Sequence, residues 1–362
     1  MTKRMYNFNP GPAALPIEVL EQAQENFVEY KQLGISLMEM SHRSKQVEQL
    51  NEETQQLLLD IVGLNNEYKV LFMGGGASTQ FALVPLNFLL PDRTANYILS
   101  GNFSEKAYSE ACYVGKAHIA SSSKEQKWVN VPGQHALELA DHSAYVHMTT
   151  NNTIEGSRFN VFPDVGNVPL IADMTSDILS RQVDYEKFAL VYAGAQKNLG
   201  PAGITTVIIR EELLEHARKD IPVIMRYETF AKEKSLYNTP PVHSIYVMNL
   251  VLKWVVEQGG IAALEKRNAE KAGFVYQTID ASGGFYKGIV NRADRSDMNI
   301  TWKLANDELE QQFVKESVQN GFVGLSGHRS VGGLRASAYN AVPVEACKAL
   351  ADFMVEFQRK NG

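Results

Sequence analysis

The residues best suited to chemistry in this chain are a lysine, an aspartate and a run of glycines. In Leu190-Val191-Tyr192-Ala193-Gly194-Ala195-Gln196-Lys197-Asn198-Leu199-Gly200-Pro201, an apolar strand runs into small residues and delivers Lys197 at its carboxyl end. Ligands of open α/β sheets bind just outside such strand ends. A lysine crowded there loses solvation and its pKa falls; by itself the segment reads more readily as an ordinary loop lysine. Pro169-Leu170-Ile171-Ala172-Asp173-Met174-Thr175-Ser176 is a second apolar strand, ending in Asp173. A carboxylate in that position either caps the next helix or, if buried, keeps a pyridine nitrogen protonated so that the ring draws in electrons. In Val70-Leu71-Phe72-Met73-Gly74-Gly75-Gly76-Ala77-Ser78-Thr79-Gln80 a strand ends in three glycines and a helix begins near Ser78. Free backbone N–H groups at such a junction can surround an anion, or the glycines can simply make a tight turn. The spacing fits neither the dinucleotide-binding nor the P-loop pattern. A phosphate cup, an aspartate and a lysine on neighbouring strand ends point to pyridoxal 5′-phosphate.

Positioning these residues requires an α/β scaffold. Apolar or β-branched runs predict strands at Lys69–Met73, Asn96–Leu99, Ala144–Met148, Leu170–Asp173, Leu190–Ala193 and Thr205–Ile209. Several are nearly all apolar, as strands covered on both faces are. Helical patterns lie between or before them, at Ile17–Tyr30, Val47–Val62 and Thr79–Leu90. The alternation predicts a large domain around a mostly parallel sheet. Gly259-Gly260 then breaks a helix, and a long charged helix over Ile261–Ile279 opens a different texture. Short elements follow around Met298–Trp302, Glu308–Asn320 and Gly332–Ser337. A last helix after Pro343 sets Leu350, Phe353, Met354 and Phe357 on one face. The expected division is a large domain over 16–260 and a smaller α/β domain formed by 1–15 and 261–362.

Composition narrows the class. The 362 residues carry 35 Lys and Arg against 41 Asp and Glu, a net charge of −6. That balance disfavours nonspecific binding to nucleic acid or anionic membranes. Cys112 and Cys347 lie far apart and form no C-x-x-C motif, which fits a reducing compartment, no disulfide framework, and two small buried hydrophobes rather than nucleophiles. The start of the chain has no apolar signal core, and Phe81–Leu90 and Ile245–Val256 are too short to span a bilayer. A cytoplasmic protein is expected. The histidines show no H-E-x-x-H spacing and no G-x-S-x-G elbow is present, so neither a zinc site nor a hydrolase is expected.

Five segments together resemble the phosphoserine aminotransferases, a family within the class-V pyridoxal-phosphate-dependent aminotransferases. They are Asn7-Phe8-Asn9-Pro10-Gly11-Pro12-Ala13, Met40-Ser41-His42-Arg43-Ser44, Gly194-Ala195-Gln196-Lys197-Asn198, Asn238-Thr239-Pro240-Pro241 and Gly327-His328-Arg329-Ser330-Val331-Gly332-Gly333-Leu334-Arg335-Ala336-Ser337. The resemblance runs from residue 7 to the last helix. It implies the aspartate-aminotransferase-like fold, fold type I, and transfer of the amino group of glutamate to 3-phosphohydroxypyruvate, with 4-phosphohydroxythreonine as a second substrate. It implies that Lys197 forms the Schiff base and moves the proton, and that Asp173 pairs with the ring nitrogen. Phe103 would stack on the ring and Thr153 would bond its phenolic oxygen. Ala77, Ser78 and Gln196 would hold the phosphate, which Asn238 and Thr239 would reach from the other subunit of a homodimer. Arg335 would take the α-carboxylate. His42, Arg43, His328 and Arg329 would take the substrate phosphate or the glutamate side-chain carboxylate.

Two departures from the family pattern stand out. Trp is commoner where Phe103 stands, so the stacking surface is smaller here. Some members carry an arginine just after the glycines, where this chain has Ala77-Ser78-Thr79. Two rival readings predict different behaviour. A cysteine desulfurase needs a mobile cysteine near the site, and a non-catalytic binding module would be indifferent to Lys197.

Overall fold

The computed structural model describes residues 4–362. A short strand β1 (Tyr6–Asn7) and helices α1 (Ile17–Glu25) and α2 (Lys45–Val62) lead into β2 (Tyr68–Met73), α3 (Gly76–Phe88), β3 (Thr94–Leu99), α4 (Asn102–Val114) and β4 (Ala117–Ser122). Four strands follow: β5 (Ser143–Thr149), β6 (Leu170–Asp173), β7 (Leu190–Gly194) and β8 (Thr205–Arg210). Short helices α5 (Glu211–Glu215) and α6 (Tyr227–Lys232) precede the long α7 (Val242–Glu257) and α8 (Gly260–Ala281). The chain closes with β9 (Lys287–Gly288), β10 (Asn299–Lys303), α9 (Asp307–Gln319), β11 (Phe322–Val323), β12 (Leu334–Ser337) and α10 (Val344–Asn361).

Strands β2 to β8 form one sheet in the order β2-β8-β7-β6-β5-β3-β4. The pairs from β7 across to β4 are parallel, whereas β8 runs antiparallel to both β7 and β2. The reversal follows from chain length. Residues 195–204 join β7 to β8, too few for the helical crossover that a parallel pair needs.

Each face of this sheet is covered. Val70, Phe72, Val146, Met148, Ala172 and Val191 pack against Leu50 and Leu58 of α2 and Ile245, Val251 and Leu252 of α7. The alternate residues Leu71, Tyr97, Tyr145, Ile171, Tyr192 and Val207 pack against Phe81 and Val84 of α3, Ala107 and Ala111 of α4 and Phe230 of α6. Burial on both faces is why these strands read as continuous apolar runs. Each large side chain so buried contributes about 1.5–3 kcal/mol. A third core joins Phe8 and Ala14 to Val275 of α8, Ile300 and Trp302 of β10, Phe313 of α9 and Leu350, Met354 and Phe357 of α10.

Three expectations need correction. The first helix ends at Glu25 rather than Tyr30, closed by Asn26, whose Nδ2 donates to the Gln22 carbonyl at 3.1 Å. The helix after the glycines begins at Gly76, earlier than Thr79, and ends at Phe88. Cys112, expected among small buried hydrophobes, is exposed, while Cys347 is buried. Neither strand β4 nor helix α4 is marked by an apolar run or apolar periodicity in the sequence. Among the described residues no single helix is long and apolar enough to cross a membrane.

Candidate active site

The carboxyl ends of β5, β6 and β7, the first turn of α3 and the start of α4 surround a cavity of about 370 Å³, within the range of small-molecule sites. Lys197 lies three residues past β7 and is buried. Its Nζ donates to Thr153 Oγ1 at 2.7 Å. Burial pushes the ammonium down to about 8, partly offset by Asp173 and reinforced by Arg335. A lysine so placed gives up a proton near neutral pH, which an ordinary surface lysine does not.

Asp173 ends β6 and is also buried. Its Oδ1 accepts the Thr175 N–H at 2.9 Å. Burial raises its pKa, opposed by the Thr175 bonds and by the charge of Lys197. A carboxylate at this depth favours a cationic or N–H partner over water.

The first turn of α3 supplies the anion cup. Gly75 sits at φ +86°, and a Cβ there would lie 1.8 Å from Thr79 Oγ1, so only glycine fits. The turn it makes aims the backbone N–H groups of Gly76, Ala77 and Ser78 out of the helix, where no intrahelical acceptor meets them. Gly75, Gly76, Ala77 and Ser78 all line the cavity, together with Gln196.

Phe103, in the first turn of α4, lines the same cavity, and Lys197 Nζ lies 5.9 Å from its ring centroid. Arg335, on β12, donates through Nη1 to the Thr153 carbonyl at 2.9 Å. Its Nε is buried and meets no partner among the described residues. A buried guanidinium N–H without an acceptor is costly, and a bound carboxylate would satisfy it. His328 completes the rim. Its Nδ1 accepts the Ser330 N–H at 3.2 Å, which leaves the proton of the neutral ring on Nε2. Its pKa is lowered, first by burial and then by the charges of Arg335, Lys106 and Arg329.

The expected site residues thus fall into two groups. Lys197, Asp173, Thr153, Ala77, Ser78, Phe103, Gln196, His328 and Arg335 converge on one cavity. Arg329 is exposed and is not among the lining residues. Asn238 and Thr239 line a separate recess behind the glycine turn, with Met73, Gly74 and Thr79. His42 joins them there, its Nδ1 3.3 Å from Thr239 Oγ1, and Arg43 beside it is exposed.

The class-V aminotransferase family model matches residues 5–350. The chain is a class-V aminotransferase. The phosphoserine aminotransferase of Niallia circulans is 55% identical over 362 residues, covering 100% of both chains. That of Bacillus subtilis (strain 168) is 46% identical over 359 residues, covering 99% of each. Among solved structures, phosphoserine aminotransferase from Bacillus circulans subsp. alkalophilus superposes with a TM-score of 0.98 at 55% identity, covering 99% of both chains. A PLP-bound phosphoserine aminotransferase from Trichomonas vaginalis gives 0.91 at 36%, covering 97% of this chain and 100% of that one. The aspartate aminotransferase of Thermus thermophilus, 17% identical with a TM-score of 0.77, shares the fold.

Sequence reasoning missed part of this class-V site. Asn151, Thr175 and Ser176 also line the cavity. Asn151 Nδ2 donates to Ser176 Oγ at 2.8 Å and to Asn299 Oδ1 at 2.8 Å, tying β5's end to β10. Thr175 Oγ1 accepts the Gly194 N–H at 3.2 Å, linking the aspartate's turn to the lysine's strand. Asn, Thr and Ser after strands are so common in turns that nothing in their spacing marks them. Gly11 packs its backbone on Lys197, where a Cβ would lie 3.4 Å from the lysine's Cε. Cys347 lies in the third core, its thiol pushed up to about 12 by burial, which leaves it no part in desulfurase chemistry.

Proposed function

We propose that this chain transfers an amino group between L-glutamate and 3-phosphohydroxypyruvate, giving 2-oxoglutarate and O-phospho-L-serine, with pyridoxal phosphate as its cofactor. The observation that carries the cofactor is the convergence of three unlike groups on one cavity: a lysine that deprotonates easily, a buried aspartate and a helix N-terminus. Those donors fit an aldehyde, a pyridine nitrogen and a phosphate in turn. The substrates come from phosphoserine aminotransferases 46–55% identical across essentially the whole chain.

Pyridoxal phosphate, when bound, supplies a conjugated ring that takes up the electron pair left at the substrate's Cα. The chain does the rest. Asp173 holds positive charge at the ring nitrogen. The N–H groups of Gly76, Ala77 and Ser78, with Gln196, hold the phosphate, and Phe103 fixes the ring plane. Lys197 Nζ would take the proton from the substrate's Cα and hand it to the cofactor's C4′. Arg335, with an unpaired Nε, grips the α-carboxylate and turns that Cα–H bond toward the lysine. His328, with Arg329, His42 and Arg43, meets the second anionic group.

The active unit in this reading is a homodimer in the cytoplasm. Apolar side chains are exposed on the two segments flanking His42 and Asn238: Phe27, Val28, Leu33 and Met38 on one, Ile224, Met225 and Tyr237 on the other. Such a patch suits a second copy of the chain. It would carry Asn238, Thr239, His42 and Arg43 to the partner's cavity. The division into 16–260 against 1–15 with 261–362 is supported by the separate core that Phe8 and Ala14 share with residues 272–357.

The test is the visible absorbance of the pyridoxal-phosphate-loaded protein before and after O-phospho-L-serine. Bleaching of the visible band by phosphoserine and by glutamate, lost in Lys197→Ala, is the expected result. Bleaching by glutamate alone would overturn the phosphorylated substrate and keep the transaminase.

A further inference from the structure

Lys197 and Arg335 come from distant parts of the chain, and their separation decides where an α-carboxylate lies relative to the proton-moving Nζ. Two sets of hydrogen bonds hold that separation. On the cavity side Thr153 serves both residues: its Oγ1 accepts from Lys197 Nζ at 2.7 Å and its carbonyl accepts from Arg335 Nη1 at 2.9 Å.

The second set involves Asn198, next to the lysine, and Asn340, in the loop that follows β12. Asn198 Oδ1 accepts the Asn340 backbone N–H at 3.0 Å, while its Nδ2 donates to the Ile178 carbonyl at 3.0 Å. Asn340 Nδ2 donates to the Leu179 carbonyl at 3.0 Å, and its Oδ1 accepts from Asn268 Nδ2 of α8 at 2.8 Å. Asn268 Nδ2 also reaches the Ser180 carbonyl at 2.8 Å. Lys271, one turn along α8, donates to the carbonyls of Ala338, Tyr339 and Val342 at 3.0, 2.7 and 3.1 Å.

Asn198, Asn268 and Asn340 are 4%, 1% and 3% exposed. Apolar side chains could fill this volume and would tolerate a small slide of one segment over the other. Buried amides do not, because any slide strands a donor or acceptor away from water. The bridge runs from the residue beside the lysine to the loop leaving the arginine's strand.

We propose that Asn198 and Asn340 are positioning residues for the amino transfer. The amide bridge between them sets the register of β12 against the end of β7, and so aims an α-carboxylate held by Arg335 toward Lys197. The proposal rests on the reading of Arg335 as the α-carboxylate site. The chemistry of the step is unchanged: the proton leaves Cα for Nζ as before, from a geometry the amides fix.

The test is a double-mutant cycle in the glutamate half-reaction, with Asn198→Ala and Arg335→Ala singly and together. A misplacement on the ångström scale costs about 10- to 100-fold in rate, so Asn198→Ala is expected to lower kcat/KM by that factor in the wild-type background. In the Arg335→Ala background it is expected to cost less than about 3-fold, because the carboxylate is no longer held. An equal cost in both backgrounds overturns the proposal. Hydrogen exchange on cofactor-free protein gives a reading independent of turnover. The Asn340 amide and residues 334–338 are expected to exchange faster in Asn198→Ala, and unchanged exchange overturns the bridge. Asn198→Leu, which removes the Oδ1 acceptor of the Asn340 N–H while filling the same volume, is the second variant should Asn198→Ala fail to fold, and it is held to the same cycle. Wild-type protein inert toward glutamate would sink the transaminase reading, while the exchange data would still decide the bridge.

Discussion

At Lys197 the demands of stability and of chemistry oppose one another. A buried ammonium is poorly solvated, and that same cost brings its pKa down to about 8, where it can exchange a proton at neutral pH. The unfolded chain holds this proton up to about pH 10.4. Between those values the unfolded state binds more protons than the folded one, so the stability of the cofactor-free protein rises with pH across that window. Below about pH 8 the whole cost is present. Lys197→Met should therefore stabilise cofactor-free protein at pH 7, by at most about 3 kcal/mol, with the gain fading toward pH 10. Urea unfolding at several pH values measures this, and a gain independent of pH would show that charge burial is not its source. Lys197 and Asp173 were legible in sequence because few residue types can do their chemistry and both stand at strand ends. Asn198 follows the lysine in the chain, but its bonds to Ile178 and Asn340 depend on contacts 20 and 142 residues away, which no local pattern encodes.

At the scale of the element, the glycine turn separates two costs that usually come together. Gly75 and Gly76 both have left-handed backbones, at φ +86° and +68°. A Cβ on Gly76 meets nothing within 4 Å, whereas one on Gly75 collides with Thr79 inside the first turn of α3. Gly76→Ala should cost only the backbone strain, about 1–2 kcal/mol. Gly75→Ala should cost more, and should weaken pyridoxal phosphate binding at least about 10-fold, because the amides that face the anion must move. Thermal unfolding and cofactor titration of the two variants check this; equal cofactor affinity would mean the amides are not the phosphate's ligands. The sheet strands were legible because both faces are buried. Strand β4 was not, because it is an edge strand whose central Ile119 is exposed and whose other residues are small or polar. Helix α4 buries only Ser104, Ala107 and Ala111, so its inner face is made of small residues and gives no apolar periodicity. The reversed β8 was also illegible, since strand direction is set by the connection and not by the strand's own residues.

At the scale of the whole molecule, one chain holds most of a site and the rest of the expected residues elsewhere. Lys197, Asp173 and Arg335 share the cavity, while His42 and Thr239 lie together outside it, amid exposed apolar side chains. Periodicity cannot show this, because surface that becomes buried only against a second copy reads in sequence like any other surface. If each cavity is completed by its neighbour, two kinds of defect complement when placed on different subunits. A Lys197→Ala subunit has no working lysine but an intact Arg43 to lend. An Arg43→Glu subunit has an intact lysine but lends a reversed charge. In the mixed dimer one cavity receives both defects and the other receives neither. Unfolding and refolding the two inactive variants in equal amounts should put half of the chains in mixed dimers and restore about a quarter of wild-type activity. Each variant refolded alone should stay inactive. Should the mixture stay inactive while size-exclusion shows that mixed dimers have formed, each cavity must be complete within its own chain, and Arg43 must act on the same subunit as Lys197.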